Sequence, residues 1–336
     1  MRLSSCTIRA LNVKPNSLMA LSAWLVAALH AAAPLGAGAQ TAGWQTETRL
    51  TYNESVANVP PNNAKYLAVD RLGVLHVVWS DDRDRNFEIY HRMKTGGTWG
   101  AENRLTISAG ISERPNLAVD ETGRVHLAWN DDRSGNMEIY HRFWASGVWS
   151  PEQRVTETAG DSRASALVAV GDTVHMVYME MVGTVTQIMH RTWSDMAWSA
   201  GSAITSAETG DRMVPTIDRG PDGSIHVAWW DTRTDGWGSL GKTYYRKKEG
   251  ATWLDEELVT DPSMGAMRPT IAVDDLGYVH VAWIDQRDPN YQIYYRRRTP
   301  AGWESEQAIT DESCTHYHPS IDTAGGRVFL VYWDNH

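Results

Sequence analysis

The chain of 336 residues has two cysteines, and three phenylalanines against sixteen tryptophans. Cys6 lies in an N-terminal stretch that reads as a secretion signal, so Cys314 is left alone. One cysteine cannot make an internal disulfide, even in an oxidising compartment. Positive charge is also in short supply. Lysine and arginine total 31 against 41 acidic residues, a formal net charge of −10. Nucleic-acid phosphates demand a basic face, so no nucleic-acid partner is expected. Beyond residue 39 no run approaches the roughly 20 apolar residues that span a bilayer.

The first 39 residues are different. Arg2, Arg9 and Lys14 make a basic start, and Leu18 to Leu35 is rich in Ala and Leu. Ala37-Gly38-Ala39 is a small-x-small cleavage site before Gln40. The alternatives are a buried helix or a membrane anchor. The run is short and ends in Pro34 and glycines, which favours an export signal and a secreted or periplasmic protein. Loss of the three positive charges takes the net charge from −10 to −13.

From there to residue 336 one unit keeps returning. Leu75-His76-Val77-Val78-Trp79-Ser80-Asp81-Asp82-Arg83 has counterparts at 125–133, 225–233 and 279–287. A weaker copy begins at Val174-His175, and the last is Val328-Phe329-Leu330-Val331-Tyr332-Trp333-Asp334. Histidines at 76, 126, 175, 226 and 280 set a period of about 50 residues, the mark of stacked supersecondary units. Runs of β-formers between Gly, Pro and Asp clusters place four strands in each unit. In the clearest copy these are 269–274, 278–284, 291–297 and 303–310. Four short antiparallel strands per unit make a propeller blade. Residues 40–336 are therefore expected to form an all-β, six-bladed propeller. The last unit stops after its second strand, so the last blade is expected to be incomplete. Trp44 to Thr51 matches a fourth strand and precedes any first strand. Such a strand can close the ring and protect an open edge.

The turns Gly96-Gly97-Thr98-Trp99 and Gly250-Ala251-Thr252-Trp253, with the shorter Gly147-Val148-Trp149 and Gly302-Trp303, carry the Gly-x-Thr-Trp half of a known motif. The chain thereby resembles the sialidase-like superfamily of BNR-repeat, or Asp-box, propellers. The Ser-x-Asp half is missing, and so is the Phe/Tyr-Arg-Ile-Pro segment of true sialidases. The diglycine-centred repeat of kelch propellers does not recur. The resemblance implies the architecture; function has to be argued from the site.

Repetition itself separates scaffold from site. A residue type found in nearly every unit is read as scaffold. By this test the recurring His is structural, expected to bond the neighbouring blade. The recurring Asp-x-Arg is expected to make ion pairs and loop caps. Interleaved arginines in Asp82-Arg83-Asp84-Arg85 oppose a calcium site, and no metal or other cofactor is expected. Unique features are the better candidates. Arg114, Arg163, Arg212 and Arg268 stand at or just before first strands. His316 and His318 enter the last unit, and Trp237 sits in an enlarged loop. All seven are expected around one mouth of the central channel. Guanidinium forks suit carboxylate or sulfate, and a tryptophan suits the apolar face of a sugar. Pairing of each arginine with a nearby acid is the competing reading. Arg268 and His318 each precede a proline, which predicts extended backbone and similar presentation.

The expected function is binding of an extracellular, anionic carbohydrate by a monomer. A sialidase-like glycosidase, a polysaccharide lyase using His316-Tyr317-His318, and a protein-docking platform are the alternatives.

Overall fold

The computed structural model describes residues 6–11, 50–51, 57–58, 65–206, 209–233, 241–311 and 314–334. Among them there is no helix. Six antiparallel sheets follow one another. Sheet two is typical. Its strands run Ser112–Val119, Val125–Asp131 and Glu138–Ala145, and its fourth edge is Val148–Trp149 with Gln153–Arg154. The first-to-second turn is tightened by Asp120, whose carboxylate accepts the Arg124 N–H at 2.9 Å, and by Gly123 at φ 85°.

The fourth strand expected over 303–310 is instead two short pieces, Gly302–Trp303 and Gln307–Ala308. The cause is an arginine of the third strand. Arg296 Nε donates to the Glu304 carbonyl at 2.5 Å, drawing it out of the ladder. Its Nη1 donates to the Val259 carbonyl of the preceding sheet, also at 2.5 Å. The same bridge ties Arg142 to Leu105, Arg246 to Ile204 and Arg92 to Leu50. Leu50 thus meets sheet one as a fourth-strand residue of a preceding sheet meets the others. Residues 44–49 of the expected closing strand lie outside the described residues.

The last sheet pairs His316–Ala324 with Arg327–Asp334. The sequence pattern predicts no third strand there. In the structure Cys6–Leu11 fills that position, antiparallel, from Cys6 opposite Trp333 to Leu11 opposite Val328. These residues belong to the segment read as a secretion signal, so its removal would take the strand with it.

Five cores lie between successive sheets, and a smaller one joins sheet one to Leu50. Ala128, Ile139 and Val155 of sheet two meet Leu167, Met176 and Tyr178 of sheet three. Val177 and Ile188 of sheet three meet Ile217 and Trp229 of sheet four, and the pattern continues through sheet six. Both faces of sheets two to five are therefore apolar, as sandwiching requires. Trp129, Trp229 and Trp283 are fully buried. Truncating one to alanine would cost about 3–5 kcal/mol.

The repeated polar residues are built into this scaffold. Asp131 is fully buried and accepts hydrogen bonds from Trp129 Nε1 at 3.1 Å, Ser112 Oγ at 2.7 Å and the Arg133 N–H at 3.0 Å. The Arg133 guanidinium grips Asp131 and Glu152 together and lies 4.6 Å over the Tyr140 ring. Arg83, Arg233 and Arg287 do the same with their own Asp, Glu and Tyr. Sheet three replaces the set with Tyr178 and Glu180, and Arg191 Nε donates to the Tyr178 hydroxyl at 3.0 Å. Burial pushes the Glu180 carboxyl up.

The recurring histidines are buried, but their partners differ from expectation. They bond the third strand of their own sheet, not the next blade. His76, His126 and His175 each place Nδ1 3.0 Å from Nε2 of His91, His141 and His190. His226 and His280 meet the hydroxyls of Tyr245 and Tyr295 at 2.7 and 2.6 Å. Each third-strand partner stands diagonally across the ladder, two residues from the one directly opposite (His76 faces Met93, not His91), and a ring on that diagonal is within reach inside the sheet.

Candidate functional site

The first strands of sheets two to six each carry one bulge, just after their opening pair of residues. A bulge fits one extra residue between two ladder pairs. Here a left-handed residue does so: Arg114, Ala164, Val214, Arg268 and His318, at φ 54, 52, 52, 51 and 50°. The extended backbone predicted for Arg268 and His318 is therefore corrected. The bulge overrides the preference of a residue before proline, and both are left-handed. They are presented alike because they share this position.

Sheets five and six are adjacent, so the two side chains meet. Arg268 Nη1 lies 3.1 Å from His318 Nδ1. The guanidinium can only donate, so that ring nitrogen carries no proton. Burial, and then the charge of Arg114, hold the Arg268 guanidinium below the ordinary arginine value. Arg114 is half-exposed, with Glu113 Oε1 3.5 Å from its Nε. Arg268 has no carboxylate partner among the described residues.

The other candidates fall elsewhere. Arg163 and Arg212 precede the left-handed residue by one and two positions. Arg163 is exposed and paired with Asp161. Arg212 is fully buried, donates from Nη1 to the Gly210 carbonyl at 2.8 Å, and has Nε 3.5 Å from Asp231. His316 is also two positions before its left-handed residue, and it is buried against Cys314, Nε2 to Sγ 3.4 Å. Trp237 lies outside the described residues.

Two residues of this region escape sequence reasoning. First strands of sheets one to four line a recess of about 190 Å³. Lys65 Nζ of sheet one reaches Asp218 Oδ1 of sheet four there, at 3.2 Å. Asp218 also accepts the Val273 N–H of sheet five at 2.8 Å. The Asp218 carboxylate raises the Lys65 ammonium above its ordinary value, against a smaller lowering by burial. Aspartate recurs in the first strand only at Asp322, which is a weak signal in the sequence. Among the described residues no group of His, Cys, Asp or Glu converges as metal ligands would.

No family model matches the chain, and no curated protein does. Solved structures do. An ulvan lyase from a polysaccharide lyase family superposes with a TM-score of 0.60 at 10% identity, over 84% of each chain. An α-L-arabinanase of Penicillium chrysogenum, complexed with arabinobiose, gives 0.57 at 14%, over 84% of this chain and 99% of that one. The intramolecular trans-sialidase of Ruminococcus gnavus gives 0.54 at 10%, over 81% and 91%. The fold is a β-propeller. At these identities the likeness extends to the fold alone, and the sheets are its blades. No described helix is long and apolar enough to cross a membrane.

Proposed function

We propose that the propeller binds an anionic extracellular carbohydrate at the channel mouth, through Arg268 with His318 and Arg114. One observation carries this. Arg83, Arg133, Arg233 and Arg287 each hold two carboxylates, whereas Arg268 is half-buried, faces a second arginine and has no carboxylate partner among the described residues. A half-buried, uncompensated guanidinium suits a carboxylate or sulfate brought by a ligand. The glycan-acting propellers of the same fold support a sugar as its carrier. The pairing of Arg163 with Asp161 and the burial of Arg212 leave those two the weaker members of the set, and His316 and Trp237 complete the proposed surroundings.

The ring is proposed to have six blades. Lys65 meets Asp218 three sheets away, and Arg268 feels Arg114 three sheets away. Sheets three apart face each other across a ring of six. Residues 1–39 are proposed to direct export of a monomer.

A second reading is lyase chemistry. Tyr317 and His318 stand side by side, ring centroids 6.0 Å apart, with Arg268 against the histidine. That set offers proton acceptor, proton donor and a cation for a uronate carboxylate.

The test is Arg268→Ala. Glycan-array and titration signals for acidic sugars should fall at least tenfold, the loss of a charge-assisted contact of about 1.5–3 kcal/mol. The melting temperature should hardly change. His280→Ala should lower the melting temperature and leave binding by the folded fraction intact. If Arg268→Ala unfolds the protein while binding per folded molecule persists, the arginine is scaffold. Ultraviolet-absorbing unsaturated ends released from acidic polysaccharide would favour the lyase.

A further inference from the structure

The entry to blade six differs from the other blade entries. Just before the left-handed residue, the first strand places one side chain opposite one on the second strand. Blade two puts Glu113 opposite Asn130, blade three Arg163 opposite Met179, blade four Met213 opposite Trp230, and blade five Met267 opposite Ile284. Blade six puts Tyr317 opposite Trp333, two aromatic rings with centroids 5.1 Å apart and planes tilted by 32°. Tyr291 of blade five stands edge-on to Tyr317 at 5.5 Å. All three rings are half-buried, so each keeps a solvent-facing part. Tyr291 and Tyr317 rest on the core between blades five and six, but blades two to five show no pair of two aromatic rings at this position.

This aromatic ledge continues directly into the charged mouth. Tyr317 is followed in the chain by His318, which holds Arg268. A guanidinium and a run of half-exposed rings, side by side, match a ligand with an anionic group on one unit and an apolar face on the next. The geometry points to a second sugar subsite on blade six: Tyr317 and Trp333 stack the pyranose neighbouring the anionic residue held by Arg268. Pyranose rings present C–H faces that lie flat on aromatic rings, while their hydroxyls remain in water. The ligand class is thus an acidic oligosaccharide of two or more units. This rests on the mouth binding an anionic sugar.

The test compares free glucuronate with an unsulfated chondroitin tetrasaccharide, which alternates uronate with a neutral amino sugar, by titration calorimetry. The intact protein should bind the tetrasaccharide at least tenfold more tightly. Tyr317→Leu and Trp333→Leu should lose that advantage while binding glucuronate as before, and Tyr317→Phe should keep it. Arg268→Ala should weaken both sugars. Thermal melts establish that each variant is folded, and Tyr317→Phe covers the case in which a leucine variant is not. A length advantage that survives in folded Tyr317→Leu and Trp333→Leu overturns the ledge and leaves the mouth standing. Failure of the intact protein to bind either sugar overturns the uronate reading of the mouth, and the ledge with it.

Discussion

Lys65 and Asp218 are 153 residues apart in sequence, yet Nζ and Oδ1 are 3.2 Å apart, joining sheets one and four. The two are not equal partners. The Lys65 side chain is 45% exposed, the Asp218 side chain 12%. Asp218 also receives a backbone N–H from the next blade.

Asp218→Ala should therefore destabilise by about 1–3 kcal/mol, because a buried donor loses its acceptor. Lys65→Met should change stability by less than about 1 kcal/mol, since a half-exposed ion pair is screened by water. Urea unfolding of both variants at neutral pH measures the difference. Equal losses would mean that the ion pair, not the Val273 contact, is what Asp218 supplies. The raised Lys65 is fully charged below the ordinary lysine value, so this contribution is constant near neutrality. It fades only as pH climbs through the raised value.

Acid should unfold the propeller through its histidine pairs. Burial, then the neighbouring imidazole, pushes His91 and His190 down to about 3. Burial and nearby lysines push His175 and His226 down to about 4. His76, His126 and His141 are lowered as well, by burial first. A histidine lowered in the folded state binds its proton more readily when unfolded. Stability is thus unaffected well above pH 6.5 and falls between there and pH 3 to 4, by about 1.4 kcal/mol per pH unit for each proton taken up. Denaturant titrations at pH 8, 7, 6 and 5 should show a plateau followed by a steepening loss. A flat profile down to pH 5 would contradict the buried, neutral pairs.

Blade three offers an internal control. Burial raises Asp131, but hydrogen bonds from Arg133 and Ser112 more than offset it and hold the carboxyl below its usual range. Asp131→Asn should cost about 1–3 kcal/mol, because the half-buried Arg133 guanidinium and the Ser112 hydroxyl lose a charged acceptor while Arg133 keeps Glu152. Glu180 occupies the matching position without an arginine two residues on, and burial raises it. A carboxyl raised in the folded state costs stability once the pH exceeds its ordinary value. Glu180→Gln should therefore be neutral or stabilising at pH 7, read as a shift in urea midpoint.

The architecture was legible because the scaffold repeats: His, Trp-x-Asp-x-Arg and the tight glycine turn recur at one spacing. The pairing of Arg268 with His318 was half legible. Equivalent position predicted equivalent presentation, but proline suggested extended backbone where the bulge imposes a left-handed one. Arg163 and Arg212 show the limit. Beside a bulge, a shift of one or two residues turns a side chain from the proposed mouth into solvent or into the blade, and the extra residue leaves no hydrophobic mark. Lys65 and Asp218 were missed for another reason. Which blades oppose one another is a property of the whole ring, not of any local pattern.

The left-handed bulge residue is a seat that changes occupants freely. Arginine, alanine, valine and histidine all take it, with φ confined to 50–54°. At Arg114, Val214, Arg268 and His318 the side chain is half-buried, whereas Ala164 is buried, so at four of the five seats the chemistry can be exchanged with little retuning of the fold. Val214 holds such a half-buried seat with an uncharged side chain. A substitution at Val214 would change the charge displayed along the row of bulges, so the surface that this propeller presents there is set separately from the packing between its blades.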